Sequence, residues 1–339
     1  MRKLLTIIIL IICTAMVFAG DPSRKGTTGA DQLLIPVGAN SIATGGAFLS
    51  NVTGLESIYY NPAGLNQKDG TEAMFSYMSY IADINVSYFA IGTNLGDLGS
   101  FAFNIKTLNF GDIPVTTFDS PDGNGSTYSP SFITAGVTYS KVITDRVSVG
   151  VTGKVISESI VDVNATGFAL DFGVQYRFPH NLSIGATVKN IGTNMVYSGS
   201  NLQTITTIPN TQLGSSSGTY QIVAQEFQIP SYFELSTAYQ FDINDENQLS
   251  LASAFTNNNA FEDQLKFGAE YGFQNTFFVR GGYDMLLENS SDNTFGFTVG
   301  AGINYSFTEG FAWAFDYAYR EVKDFPTANH VFTVKLAFE

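Results

Sequence analysis

Apolar residues alternate with small or polar ones along most of the chain. In a β-strand, successive side chains face opposite sides. From Phe295 to Phe307 one face carries Phe295, Phe297, Val299, Ala301, Ile303, Tyr305 and Phe307, and the other Gly296, Thr298, Gly300, Gly302, Asn304 and Ser306. Phe311, Trp313, Phe315, Tyr317 and Tyr319 then oppose Ala312, Ala314, Asp316, Ala318 and Arg320. Phe168, Leu170, Phe172, Val174, Tyr176 and Phe178 oppose Gly167, Ala169, Asp171, Gly173, Gln175 and Arg177. Leu265, Phe267, Ala269 and Tyr271 oppose Lys266, Gly268, Glu270 and Gly272.

The pattern predicts about fourteen strands. They lie near 72–80, 86–94, 99–110, 131–142, 146–157, 165–178, 181–190, 231–242, 247–256, 262–273, 275–285, 293–307, 310–320 and 330–338. Many run to ten or more residues, against about five or six in soluble sheets. A soluble sandwich also alternates, but its polar face meets water. Here the second face is rich in Gly, Ala and Ser with isolated charges, which suits a barrel lumen, and outer-membrane strands alternate apolar-out and polar-in. The expected fold is therefore all-β: a transmembrane antiparallel β-barrel of about 14 strands with an N-terminal plug segment.

The connections agree. One set is tight: Gly96-Asp97-Leu98, Thr144-Asp145, Pro179-His180-Asn181, Asn244-Asp245-Glu246, Gln274-Asn275 and Thr308-Glu309. The other set is mostly longer, notably 111–130 and 191–230. Bacterial barrels pair short periplasmic turns with longer outside loops. An open sheet in lipid leaves unpaired edges, so the last strand is expected to pair with the first. That last strand sets Phe332, Val334, Leu336 and Phe338 against Thr333, Lys335 and Ala337. Such an aromatic C-terminal strand resembles the assembly signal of outer-membrane proteins.

The first residues read as an export signal. Arg2 and Lys3 precede an uncharged, mostly apolar run from Leu4 to Phe18, and Val17-Phe18-Ala19 leads into Gly20-Asp21-Pro22. This predicts a signal peptide over 1–19, cleaved after Ala19. The run falls short of the roughly 20 residues of a spanning helix. Cys13, the only cysteine, lies inside it and follows Ile12, so it makes no lipoprotein site and leaves with the signal. Disulfide and thiol chemistry are then excluded.

Charge narrows the function. The sequence holds 16 Lys and Arg; without Arg2 and Lys3 there are 14, against 30 Asp and Glu, a net −16. Nucleic acid needs a basic footprint and is excluded as a partner. Charged residues make up 14% of the chain, where a soluble domain has about 25%. The expected location is the bacterial outer membrane, with its lipid as a partner.

Residues 20–70 do not follow the strand pattern, and the barrel is expected to occupy 71–339. The N-terminal stretch carries Gly29-Ala30-Asp31, then Gly45-Gly46-Ala47-Phe48, then Tyr59-Tyr60-Asn61-Pro62-Ala63-Gly64-Leu65. Glycines permit tight turns, and Asn-Pro opens one. The segment reads as compact, irregular and packed within or under the barrel. Gly45, Gly46, Asn61, Pro62, Ala63, Gly64 and Leu65 are its candidate plug and turn residues. Turn chemistry alone also explains Asn61 to Leu65.

In this order of motifs the chain resembles the PorV/PorQ group of outer-membrane proteins, itself similar to the wider FadL-type superfamily. The resemblance implies a 14-stranded barrel whose N-terminal segment plugs the lumen. It implies two alternative functions. In the first, the protein is a type IX secretion-associated component that binds exported proteins at the cell surface. In the second, it is a FadL-like channel for hydrophobic small molecules such as fatty acids. The corresponding partners are secreted cargo or secretion-complex subunits, or those small molecules.

Catalysis has little support. His180 falls in a tight turn and His330 at the opposite end of the last strand, so they cannot share a site. No Cys/His zinc pattern exists, and no serine is marked by a base. The protein is read as a non-enzyme without cofactor or metal. Asp119, Asp122 and Asn124 offer oxygen donors, but their spacing misses the EF-hand pattern. Residues 192–225 carry no charge and read as a mobile or partner-contact loop.

Lumen positions by parity carry Lys106, Lys154, Asp171, Arg177, Lys189, Glu234, Lys266, Glu270, Arg280, Asp284, Asp316, Arg320 and Lys335. Either opposite charges pair across strands and fix the plug, or they line a polar pathway. Mixed signs favour pairing.

Overall fold

The computed structural model describes residues 26–207, 217–288, 293–308 and 310–338. The expected signal peptide, with Cys13, lies outside the described residues. Fourteen long strands form the wall, numbered here in chain order: β1 Thr71–Ser79, β2 Asn85–Asn94, β3 Ser100–Asn109, β4 Ser131–Thr144, β5 Val147–Ile160, β6 Val163–Arg177, β7 Leu182–Gly192, β8 Tyr232–Asn244, β9 Asn247–Asn258, β10 Gln264–Phe273, β11 Phe277–Leu286, β12 Phe295–Thr308, β13 Phe311–Val322 and β14 Asn329–Phe338. No boundary differs from its sequence expectation by more than about three residues, within the usual error of boundary assignment.

Each strand pairs antiparallel with its neighbours in sequence. β1 and β14 close the ring, from Thr71↔Phe338 to Ser79↔His330. Closure gives every strand two partners, which hydrocarbon demands. The tight turns gather at the end that holds Thr71 and Phe338, the periplasmic end by the usual asymmetry. The longer loops mark the outer end, although Val161 and Asp162 alone join β5 to β6 there. Two small ladders build up the outer loops: Ile113–Pro114 with Thr127–Tyr128, and Gln203–Thr207 with Ser217–Gln221.

Outward parity holds widely. Phe89, Phe101, Val137, Phe168, Val279 and Phe315 are exposed on the wall, and lipid is the solvent that accepts them. Aromatic contacts gather near both rims: Phe101 with Tyr139 and Tyr239 with Phe241 below, Tyr317 with His330 and Phe332 above.

Register shifts interrupt parity, notably within the run from Phe295 to Phe307 and opposite Asp171, where adjacent Lys189 and Asn190 are both buried. Between Phe295 and Thr298 the β12–β13 register shifts, with Gly296 and Phe297 opposite Glu321 alone. One extra residue reverses the facing of everything beyond it. Phe295, expected on the lipid face, therefore turns into the lumen beneath Arg320, whose guanidinium carbon lies 3.5 Å from the ring centre.

Gly26 to Gly70 fill the lumen. The chain enters beside the outer loop, where Gly29 N donates to Gln228 O. It then makes a helix at Ala39–Ala43, a second at Ser57–Tyr60 and a 3-10 turn at Pro62–Gln67, and reaches β1 at the periplasmic rim. Gly45 and Gly46, at φ 65° and 71°, turn the chain after the first helix. The segment and the wall share the buried apolar core: Ala39, Ala43, Ala47, Leu49, Leu55 and Ala63 are at most 1% exposed, and Met74, Met78, Val86 and Tyr88 meet them from the wall. The barrel is thus apolar outside, and the N-terminal stretch packs against its inner face.

Candidate functional site

The wall is carved to receive the segment. A Cβ on Gly150 of β5 would lie 2.3 Å from the Pro62 carbonyl carbon. On Gly173 of β6 it would lie 2.1 Å from Asn61 Oδ1, and on Gly185 of β7 2.6 Å from Ser50 Cα. Across the lumen, Cβ atoms on Gly268, Gly282 and Gly300 would lie 2.6 Å from Thr44 O, 2.3 Å from Gly45 N and 2.5 Å from Ala43 Cβ. Two facing sets of three glycines on adjacent strands therefore let the segment lie directly against the wall backbone.

Polar anchors fix the contact. Asn61, fully buried, donates from Nδ2 to Leu49 O and to Val174 O of β6, both at 3.0 Å, while Oδ1 accepts from Ala63 N at 3.2 Å. One side chain thus caps the Pro62–Gln67 turn and ties it to the wall. Gln175 Nε2 donates to Leu49 O and Val52 O, Ser236 Oγ to Ala47 O, Thr298 Oγ1 to Ala43 O, and Ser140 Oγ to Ala63 O. Ala63, Gly64 and Leu65 are buried in this seat. These bonds satisfy an irregular backbone that hydrocarbon could not.

The lumen charges fall into three groups. In the first, Glu270 meets Arg280 at 2.5 Å, Arg280 meets Asp316 at 2.7 Å, and Lys335 bridges Asp316 at 3.4 Å to Glu56 at 2.9 Å. Glu56 belongs to the lumenal segment and also accepts from Ser41 Oγ at 2.5 Å and Ser41 N at 3.1 Å. Gly302 makes room, since a Cβ there would lie 2.1 Å from Asp316 Oδ1. In the second, Lys266 pairs with Glu234 at 2.7 Å, and Asp284 and Arg320 each keep a polar atom without a protein partner. In the third, Lys154 pairs with Asp171 at 2.7 Å beside Lys106 and Lys189. Arg177 departs from expectation. It follows the inward parity but ends β6 at the periplasmic rim and is exposed, so it joins none of these groups. Its parity was right and its depth was not.

Two cavities flank the segment. The outer one, about 400 Å3, is bounded by Ile42, Gly45, Gly46, Tyr59 and Tyr60 of the segment and by Glu234, Lys266, Asp284, Phe295 and Arg320 of the wall. The lower one, about 450 Å3, lies against Asn40, Lys68 and Lys335 and reaches the periplasmic turns at Gln274 to Thr276. On the segment, partial burial and the nearby Glu158 carboxylate hold the Asp31 carboxyl above the usual range. Among the described residues no cluster of His, Cys, Asp and Glu is arranged to hold a metal ion. Asn124, one of the candidate calcium donors, instead accepts a local bond from Ser126 N at 2.9 Å.

Residues 126–336 match the profile of the type IX secretion system membrane protein family PorP/SprF. The chain belongs to this family. The PorP/SprF match begins beyond the N-terminal segment, so the PorV/PorQ likeness rests on the N-terminal motifs alone, and the family shown is PorP/SprF. No curated protein sequence matches. Solved structures share the fold of this PorP/SprF protein. The CymD monoaromatic hydrocarbon channel aligns with a TM-score of 0.57 at 12% identity, covering 90% of this chain and 98% of its own. The Ralstonia pickettii toluene transporter TbuX gives 0.55 at 15%, covering 90% and 99%. A Pseudomonas aeruginosa FadL homologue gives 0.54 at 12%, covering 90% and 98%. At these identities the likeness is one of fold. Family and fold together make the chain an outer-membrane β-barrel.

Sequence reasoning missed several residues that hold this interior. Glu56 is the one charged residue between Asp31 and Lys68, and that isolation was its available signal. Glu72 accepts from Leu55 N at 2.8 Å and pairs with Lys68 at 2.8 Å. Tyr59 lies between Lys106 and Lys189, with ring-centre distances of 5.0 and 3.9 Å. Nothing in the spacing of these residues marks such contacts.

Proposed function

We propose that this PorP/SprF protein works at the cell surface as a type IX secretion component that holds exported proteins through its outer loops. In this reading the barrel is a scaffold and the lumenal segment a fixed filling. The observation that carries it is the Glu56–Lys335–Asp316–Arg280 chain of buried charges, which binds the segment to three strands and opposes its displacement. A buried pair is costly to break because each partner is left charged in a dry site. Contact with cargo is assigned to the loop between β7 and β8, where residues 192–225 carry no charge and Ile205, Ile222 and Val223 are exposed. The partners are membrane lipid around the wall and secreted proteins or secretion subunits above it.

A second reading, a channel for hydrophobic small molecules, is favoured by the cavities of about 400 and 450 Å3 on either side of the segment. One measurement separates the two: gentle detergent purification from the native membrane with mass spectrometry of what comes along. Exported proteins sharing a C-terminal domain, in stoichiometric amounts, support the first reading. A barrel carrying only lipid or another apolar small molecule overturns it.

A further inference from the structure

A third cavity lies on the other side of Tyr59 from the outer chamber. It measures about 30 Å3 and is bounded by Leu33, Ile58 and Tyr59 of the segment and by wall residues of β2 to β6. Among its deeply buried lining residues are Tyr88, Thr134 and Asn104, at 2%, 3% and 6% exposure. The hydroxyls of Tyr88 and Thr134 and the amide oxygen of Asn104 have no protein partner. Buried polar groups are ordinarily bonded, so the two hydroxyls can donate to a partner the protein does not supply, while the Asn104 oxygen can only accept.

The charge here is also unbalanced. Lys106 and Lys154 line the cavity and Asp171 is the one carboxylate among the lining residues. Asp171 is already engaged, by Lys154 at 2.7 Å and by Asn190 N at 2.7 Å. Lys106 gives one bond, to Ile35 O at 2.9 Å, and an ammonium has three to give. Lys189 sits on the far face of the same cluster, 2% exposed, its ammonium without a hydrogen-bond partner and 3.9 Å from the Tyr59 ring centre. The carboxylates that act on it are Glu234 and Asp171. Glu234 in turn is held by Lys266 and Thr256 at 2.7 and 2.8 Å. Lys106, Lys154 and Lys189 therefore share Asp171 and a Glu234 already held by Lys266, in a place from which water is largely removed. Uncompensated charge in such a place is strongly disfavoured.

We propose that this cavity holds one small monovalent inorganic anion of halide size, bound by the Lys106 ammonium and the Tyr88 and Thr134 hydroxyls. The cavity is roomy enough for such an ion: about 30 Å3 exceeds the roughly 10–15 Å3 that one water needs. The anion neutralises part of the lysine excess and ties Tyr59 and Ile35, through Lys106, to the wall. It is independent of what the outer loops bind.

The test is diffraction from crystals of the intact protein grown with bromide as the sole halide, measured at the bromine edge. One anomalous peak is expected in this cavity, within hydrogen-bonding distance of Lys106 Nζ. A cavity that is dry or holds only water overturns the site. A solution measurement does not depend on crystals. The thermal midpoint of the detergent-solubilised protein should rise and saturate with chloride or bromide against equimolar gluconate. In Lys106→Met the rise should vanish. A midpoint indifferent to halide in the unaltered protein, or an undiminished rise in a folded Lys106→Met, overturns the proposal.

Discussion

Glu56 and Lys335 meet at 2.9 Å inside the barrel, the first on the lumenal segment and the second on the last strand. The pair joins the two ends of the described chain through its centre. Replacing Glu56 by Ala leaves Lys335 with Asp316 alone and strips Ser41 of its acceptor. A loss of about 3–5 kcal/mol is expected for breaking a buried pair from one side. Urea unfolding in lipid, followed by heat-modifiable gel mobility, measures it. The double variant Glu56→Gln with Lys335→Met should cost less than the two single changes added together, since the two side chains touch.

Gly173→Ala should unseat Asn61, because the new Cβ would lie 2.1 Å from its Oδ1. Overpacking of this kind costs about 1–3 kcal/mol. Gly153→Ala on the neighbouring strand is the control, since its Cβ would meet nothing closer than Leu170 Cδ2 at 3.7 Å. Equal stability of the two variants would show that the segment does not depend on the glycine seat.

Deleting residues 26–65 with the export signal retained should raise single-channel conductance in planar bilayers, because this stretch separates the outer and lower cavities. An intact barrel with unchanged conductance would mean that the lumen is closed by something else.

Ile205→Ser with Val223→Ser should leave thermal stability within about 0.5 kcal/mol, as exposed surface changes do. The two residues are 75% and 90% exposed on the outer loop. Recovery of exported partners in the purification described above should fall several-fold. Undiminished recovery would move the contact to another loop.

The wall was legible in the sequence because its two faces meet different surroundings. Lipid accepts Phe89, Phe168 and Val279, while the interior requires small residues and paired charges, so parity assigned both faces. Parity failed where the backbone departs from two-residue repetition. The extra residue at Gly296–Phe297 sent Phe295 inward, and the composition of that stretch gave no warning. Parity is also blind to depth, as Arg177 shows at the rim. The lumenal segment was readable only as turn chemistry. Asn61 announced its cap on Pro62–Gln67 through local bonding preferences. Its bond to Val174, 113 residues away, depends on how the barrel closes and leaves no trace nearby.

Closure has a consequence in time. The seam that completes the ring joins Thr71 to Phe338, so its two sides are separated by nearly the whole wall sequence. Residues 26–70 precede the first side of that seam. A stretch pressed against the wall at two triads of glycines has no wide exit once those strands are paired. The segment is therefore expected to settle while β14 is still unpaired with β1, and a chain lacking residues 26–65 should then close its barrel at a different rate.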